Sequence, residues 1–121
     1  MGNFEKLKVW SRAKDLAVFV YKISSHGELA RDYGLRDQIR RSAVSIPGNI
    51  AEGDELDTDR QSIKYFYIAK GSSAELLTQS IIARKIGYMD ESNFDHISKE
   101  CRIISSMLAK LIKARAENNN G

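Results

Sequence analysis

Proline, cysteine and tryptophan each occur once in this chain of 121 residues, as Pro47, Cys101 and Trp10. With so little proline, a turn-rich β-fold is disfavoured and long helices are favoured. One cysteine excludes an intramolecular disulfide and fits a reducing compartment, so a cytoplasmic protein is expected. No apolar run approaches the roughly 20 residues of a membrane span. The opening Met-Gly-Asn-Phe-Glu-Lys lacks a signal-peptide core, and Lys6 stands where myristoylation needs Ser or Thr. Neither a membrane span nor a lipid anchor is expected.

Charge of one sign is also in short supply. Lys and Arg number 19 against 16 Asp and Glu, a net charge of +3. The excess lies in residues 1–53, with nine basic residues against six acidic; residues 54–121 carry ten of each. This allows contact with nucleic acid without requiring it. Only two histidines are present. His96 and Cys101 are five apart, about 140° around a helix, too far round to share a metal in the i, i+4 manner. His26 has no ligand partner nearby, so neither a metal nor a cofactor is expected. A calcium loop starting at Asp54 would need Gly at 59 and Glu at 65, where the chain has Asp59 and Tyr65.

What the chain has in quantity is helical periodicity. A first segment, Phe4 to Ser24, places Leu7, Trp10, Ala13, Ala17, Val20 and Tyr21 on one face, widened by Val9, Leu16 and Ile23. Gly27 can supply a left-handed stop. Asp32 is the expected N-cap of a second helix that ends at Gly53 and is kinked at Pro47. Thr58 and Gln61 fit a capping box opening a third helix, closed by Gly87. Its two apolar stripes are Ile63, Phe66, Ala69, Ala74, Leu77, Ile81 and Tyr88, and, nearly opposite, Ile68, Ile82 and Ile86. Asp90 caps a fourth helix, with Met89 and Phe94 as a hydrophobic staple and Phe94, Ile97, Cys101, Ile104, Leu108 and Leu111 as its seam. The expected fold is all-α, an antiparallel up-down-up-down four-helix bundle. It forms one domain over 1–116, with a disordered tail over 117–121.

The run Gln38 to Gly53, QIRRSAVSIPGNIAEG, is the most informative segment. Leu35, Ile39, Ala43, Ile46 and Ile50 form its core face; Gln38, Ser42, Ser45, Asn49 and Glu52 flank one side. Val44, Pro47 and Ala51 lie on the other side beside Arg36 and Arg40, leaving apolar surface for a partner.

That run, together with Phe4, Leu7, Val9, Trp10 and Ala13, with Tyr33, Gly34 and Leu35, and with YFYIAKGSSAELLTQ over Tyr65 to Gln79, resembles the bacterial 23S rRNA intervening-sequence proteins. That family also includes the accessory protein of diversity-generating retroelements. The resemblance implies a non-enzymatic four-helix bundle assembled as a homopentamer with basic surface. Its retroelement member binds nucleic acid and a reverse transcriptase, so such an enzyme is one implied partner. Gly27 to Arg31 departs from the pattern, since many relatives have Phe-Pro and acidic residues there, and Gly48 stands where serine is commoner.

The expected function is therefore non-enzymatic, oligomeric binding of RNA or DNA through its phosphate backbone. Arg36, Arg40 and Arg41 are the leading candidates, because guanidinium groups present forked donors to phosphate. Lys8 with Arg12 and Arg84 with Lys85 form two further patches. Val44, Ala51, Ile68, Ile82 and Ile86 are the candidate oligomer interface. The alternative is a protein-interaction scaffold with no nucleic-acid role. Catalysis is not expected: Gln38, Ser45, Asn49, Glu52, Ser72 and Glu75 form a polar row with no histidine or paired base.

Overall fold

The structure is a computed structural model that describes residues 2–120. A 3-10 turn, Phe4–Lys6, leads into α1 (Lys8–Ile23), the short α2 (Gly27–Arg31), α3 (Tyr33–Glu55), α4 (Asp59–Lys85) and α5 (Glu91–Asn120). Four long helices build the bundle. Each packs on two neighbours, in the cyclic order α1, α3, α4, α5 and back to α1. Side-chain bonds fix the antiparallel sense: Ser45 meets Ser72 and Ser62 meets Gly53 across α3 and α4, while Ser73 meets Cys101 across α4 and α5. Among the described residues no helix is long and apolar enough to cross a membrane.

The caps follow from the sequence. Asp32 accepts from the Leu35 amide at 3.1 Å, Thr58 from that of Gln61 at 3.2 Å, and Asp90 from that of Asn93 at 2.7 Å. Each satisfies an amide that the first helical turn leaves open. Gly87, at φ +86°, closes α4: its amide donates to Arg84 O, and that of Tyr88 to Ala83 O. This double bond is the Schellman arrangement, which needs the left-handed conformation glycine adopts freely. α3 passes through Pro47 without interruption.

The core is a single cluster. Ile39, Ala43, Ile46 and Ile50 from α3 meet Val9, Ala13, Leu16 and Val20 from α1 and Ile97, Cys101, Ile104 and Leu108 from α5. α4 differs from its expected pattern. Ala74 and Ile81 are exposed, and the inward face is completed by Ser62, Ser72, Ser73, Leu76, Ser80 and Ala83. Small side chains let α4 approach two neighbours closely; the hydroxyls of Ser62, Ser72 and Ser73 are hydrogen-bonded, which admits them to the core, whereas the buried Ser80 Oγ has no partner among the described residues. Tyr21, expected in the core, is exposed as well.

A further difference concerns the connection after α1. Gly27, at φ +73°, does not stop α1, which ends at Ile23; it opens α2 instead, burying Leu29 under a five-residue helix too short to show a period. α5 runs Glu91–Asn120. The stretch from Glu117 to Asn120 holds neither proline nor glycine, so backbone bonding propagates. Gly121 lies outside the described residues.

Candidate nucleic-acid interface

The arginines expected to meet phosphate are largely occupied within the chain. Arg40 reaches from α3 to the C-terminal end of α1: its Nε donates to Ser24 Oγ at 2.8 Å, and Nη2 to Ser25 Oγ at 3.1 Å and Tyr21 O at 3.4 Å. Its guanidinium also lies 4.6 Å from the centre of the Tyr21 ring. A cation here complements the negative end of the helix dipole and satisfies open carbonyls. Arg40 is thus a helix cap donated by a neighbouring helix.

Arg36 pairs with Asp37 at 3.0 Å, donates to Ala30 O at 3.3 Å and stacks 4.7 Å from the Tyr33 ring. Arg12 grips Glu100 on α5 with both Nε and Nη2, at 2.8 and 3.2 Å. The bond to Glu100, helped by its charge, raises the Arg12 pKa further. Arg84 donates to Met89 O at 3.3 Å across the α4–α5 turn. Lys8, Arg41 and Lys85 are exposed, and none forms an ion pair among the described residues.

The antiparallel register sorts these groups by position. Arg36, Arg40 and Arg41 near the start of α3 and Arg84 and Lys85 at the end of α4 lie toward the same end of the bundle. Lys8, at the start of α1, lies toward the other. The seven candidates therefore do not form one patch.

The apolar candidates divide too. Val44 joins Pro47, Val18 and Tyr21 in a groove of about 400 Å³ between α1 and α3, whose rim carries Lys14 and Lys22. Ile68, Ile82 and Ile86 are 42%, 47% and 52% exposed along α4. Ala51, on α3, is half-buried.

Half of the polar row on α3 and α4 has a structural use, while Gln38, Glu52 and Glu75 are exposed. Ser45 and Ser72 share a 2.8 Å hydrogen bond, and Asn49 donates to both the carbonyl and the hydroxyl of Ser45. Asp54, in the last turn of α3, and Asp59, the first residue of α4, flank Arg115 at 3.0 and 3.7 Å. Asp54 is buried, and Arg115 compensates its charge. Among the described residues no three His, Cys, Asp or Glu side chains converge as metal ligands. His96 packs against Phe19, ring centres 4.4 Å apart.

A helical bundle with ordered capping and a dispersed basic surface is the class of protein these observations define. Comparison with known proteins narrows it: the sequence profile of the 23S rRNA-intervening sequence proteins matches residues 5–110, and the chain belongs to that family. Among solved structures it is similar to a protein of unknown function from the S23 ribosomal protein family of Bacteroides thetaiotaomicron VPI-5482. The two share 22% identity at a TM-score of 0.79, over 87% of this chain and 98% of that one. At that identity the likeness speaks for the fold alone. No curated protein matches the chain significantly in sequence.

Proposed function

We propose that this protein is a non-enzymatic, cytoplasmic binder of nucleic acid, RNA or DNA, that contacts the phosphate backbone and acts as a closed homo-oligomer, a pentamer by family resemblance. One observation carries the reading: on a chain of the 23S rRNA-intervening sequence family, Lys8, Arg41 and Lys85 stay exposed with no carboxylate paired to them among the described residues. Unpaired cations are available to phosphate, and repetition around an oligomer turns weak contacts into avidity. The exposed isoleucines of α4 supply the surface for assembly. A reverse transcriptase or another nucleic-acid enzyme is a candidate protein partner.

The apolar groove under Val18, Tyr21, Val44 and Pro47 favours a second reading, a scaffold that docks proteins only. Fluorescence anisotropy with labelled single-stranded RNA and DNA over a salt series separates the two, with light scattering on the same samples. Binding that falls steeply with salt and ignores sequence is expected of an oligomer. A monomer at micromolar concentration removes the oligomer, and an intact protein that binds neither probe at low salt leaves the scaffold.

A further inference from the structure

We infer that the groove between α4 and α5 is a seat for a phosphate group of a single nucleic-acid strand, an inference that rests on the nucleic-acid reading above and names its site. The groove encloses about 390 Å³, with Lys70 on the α4 side and Arg102 on the α5 side. Neither forms an ion pair among the described residues. Arg102 bonds there only from Nε to Ser98 Oγ, one turn back on its own helix, at 3.3 Å. Ser105 and Ser106 add hydroxyls to the lining, and no carboxylate belongs to it. Two cations from different helices, with serine hydroxyls on the same lining, supply the donors that a phosphate needs once Arg102 releases its weak bond to Ser98.

The rest of the groove suits what a phosphodiester carries with it. Leu77 and Ala74 line it with apolar surface. Tyr67, one turn from Lys70, is 58% exposed and offers a ring on which a base can stack. Arg60 and Lys64 continue along α4 from Tyr67, and Lys113 lies one turn beyond Ala109 on α5; all three are exposed. Glu75 is exposed on α4 but lies outside the lining. Basic side chains interleaved with an aromatic ring fit a nucleic-acid strand better than an acidic peptide, which gains nothing from the ring. Residues 54–121 carry equal numbers of basic and acidic groups, so composition alone conceals this face.

The test uses the full chain and a fluorescein-labelled oligo(dT) or oligo(rU) probe. The double variant Lys70→Gln/Arg102→Gln should bind at least about tenfold more weakly at low salt. Its log–log salt slope should flatten by about 0.7, the increment for the one single-strand phosphate that the variant no longer neutralises. Ser106→Glu, which puts a carboxylate at the groove without removing a cation, should weaken binding as well, and circular dichroism melts confirm that both variants fold. If wild type binds and the folded double variant binds equally well, the groove is not the seat, while the wider nucleic-acid reading stands. Wild type that binds no probe at low salt overturns that reading and this inference together. Polyglutamate that displaces the probe as well as an unlabelled oligonucleotide of equal charge overturns the nucleic-acid assignment of the groove. Inorganic phosphate that competes as strongly as the oligonucleotide would make the seat one for free phosphate, against the inference.

Discussion

Arg40 Nε donates to Ser24 Oγ at 2.8 Å, and Ser24 Oγ donates onward to the carbonyl of Val20 at 2.6 Å. This relay ties the first turns of α3 to the last turn of α1. Hydrogen bonds to a charged group contribute about 1.5 to 3 kcal/mol, so Arg40→Ala should lose about that much in urea unfolding. Arg40→Lys, which keeps the charge without the fork, should fall between. Arg41→Gln, on an exposed side chain one residue away, should change stability by no more than about 0.5 kcal/mol. Equal stability for all three would remove the capping role of Arg40.

At the other end of the bundle Arg115 holds two carboxylates and lies 5.4 Å from the Phe66 ring centre. Arg115→Ala leaves buried Asp54 without its partner. Breaking a fully buried pair costs about 3 to 5 kcal/mol; here Arg115 is partly exposed, so about 2 to 3 is expected. Adding Asp54→Asn to the same chain should recover part of the loss, because the uncompensated charge is gone. A double variant no more stable than Arg115→Ala would contradict this.

Glycine substitutions should split in sign. A Cβ at Gly53 would lie 2.8 Å from Phe66 Cε1 and 3.1 Å from the Ser62 carbonyl oxygen, where α3 turns against α4. Gly53→Ala should therefore cost about 1 to 3 kcal/mol by overpacking. At Gly48 and Gly71 a Cβ meets nothing within 4 Å, and both sit inside helices. Gly48→Ala and Gly71→Ala should each gain about 0.5 to 1 kcal/mol. Thermal melts of the three variants read the contrast directly.

Ile46 on α3 and Ile104 on α5, diagonal helices of the bundle, are fully buried in the shared core. An aspartate at either position puts an unpaired charge in the core, a cost of several kcal/mol against a total of roughly 5 to 15. Ile46→Asp and Ile104→Asp should abolish the cooperative melt, whereas Asp57→Ala, at an exposed loop position, should leave it nearly unchanged. A native melt for Ile46→Asp would mean that the α3 core stripe is misassigned.

Local signals in the sequence carry the starts of α3, α4 and α5, the end of α4 and most of the core. Asp32, Thr58, Asp90 and Gly87 bond or turn where their residue types require, and the α3 stripe Ile39, Ala43, Ile46 and Ile50 faces inward as its period demands. On α4 apolarity misleads. Ile81 is outside and Ser80 inside, because the spacing between packed helices selects for size, which a hydrophobic period does not register. The candidate site was legible only as residue types. Whether an arginine is available depends on tertiary partners such as Ser24 for Arg40 and Glu100 for Arg12, 16 and 88 residues away in sequence. The Lys70 and Arg102 groove likewise arises from register between two helices.

Cys101 gives a prediction with a definite pH window. The thiol is buried, and burial pushes its pKa from 9.0 up to about 11, with the Ser73 hydrogen bond opposing. Folded protein therefore holds this proton where unfolded protein has begun to release it. Between pH 9 and 11 the unfolded state binds fewer protons, so stability is fully present below pH 9 and falls as pH rises toward 11. The thiolate is the reactive form, so iodoacetamide at about pH 8 should modify native protein very slowly and urea-unfolded protein fast. Across a urea series the labelled fraction should follow the unfolding curve. Rapid labelling of native protein at that pH would show that the thiol is reached through the α4–α5 groove, which Cys101 also lines, without global unfolding.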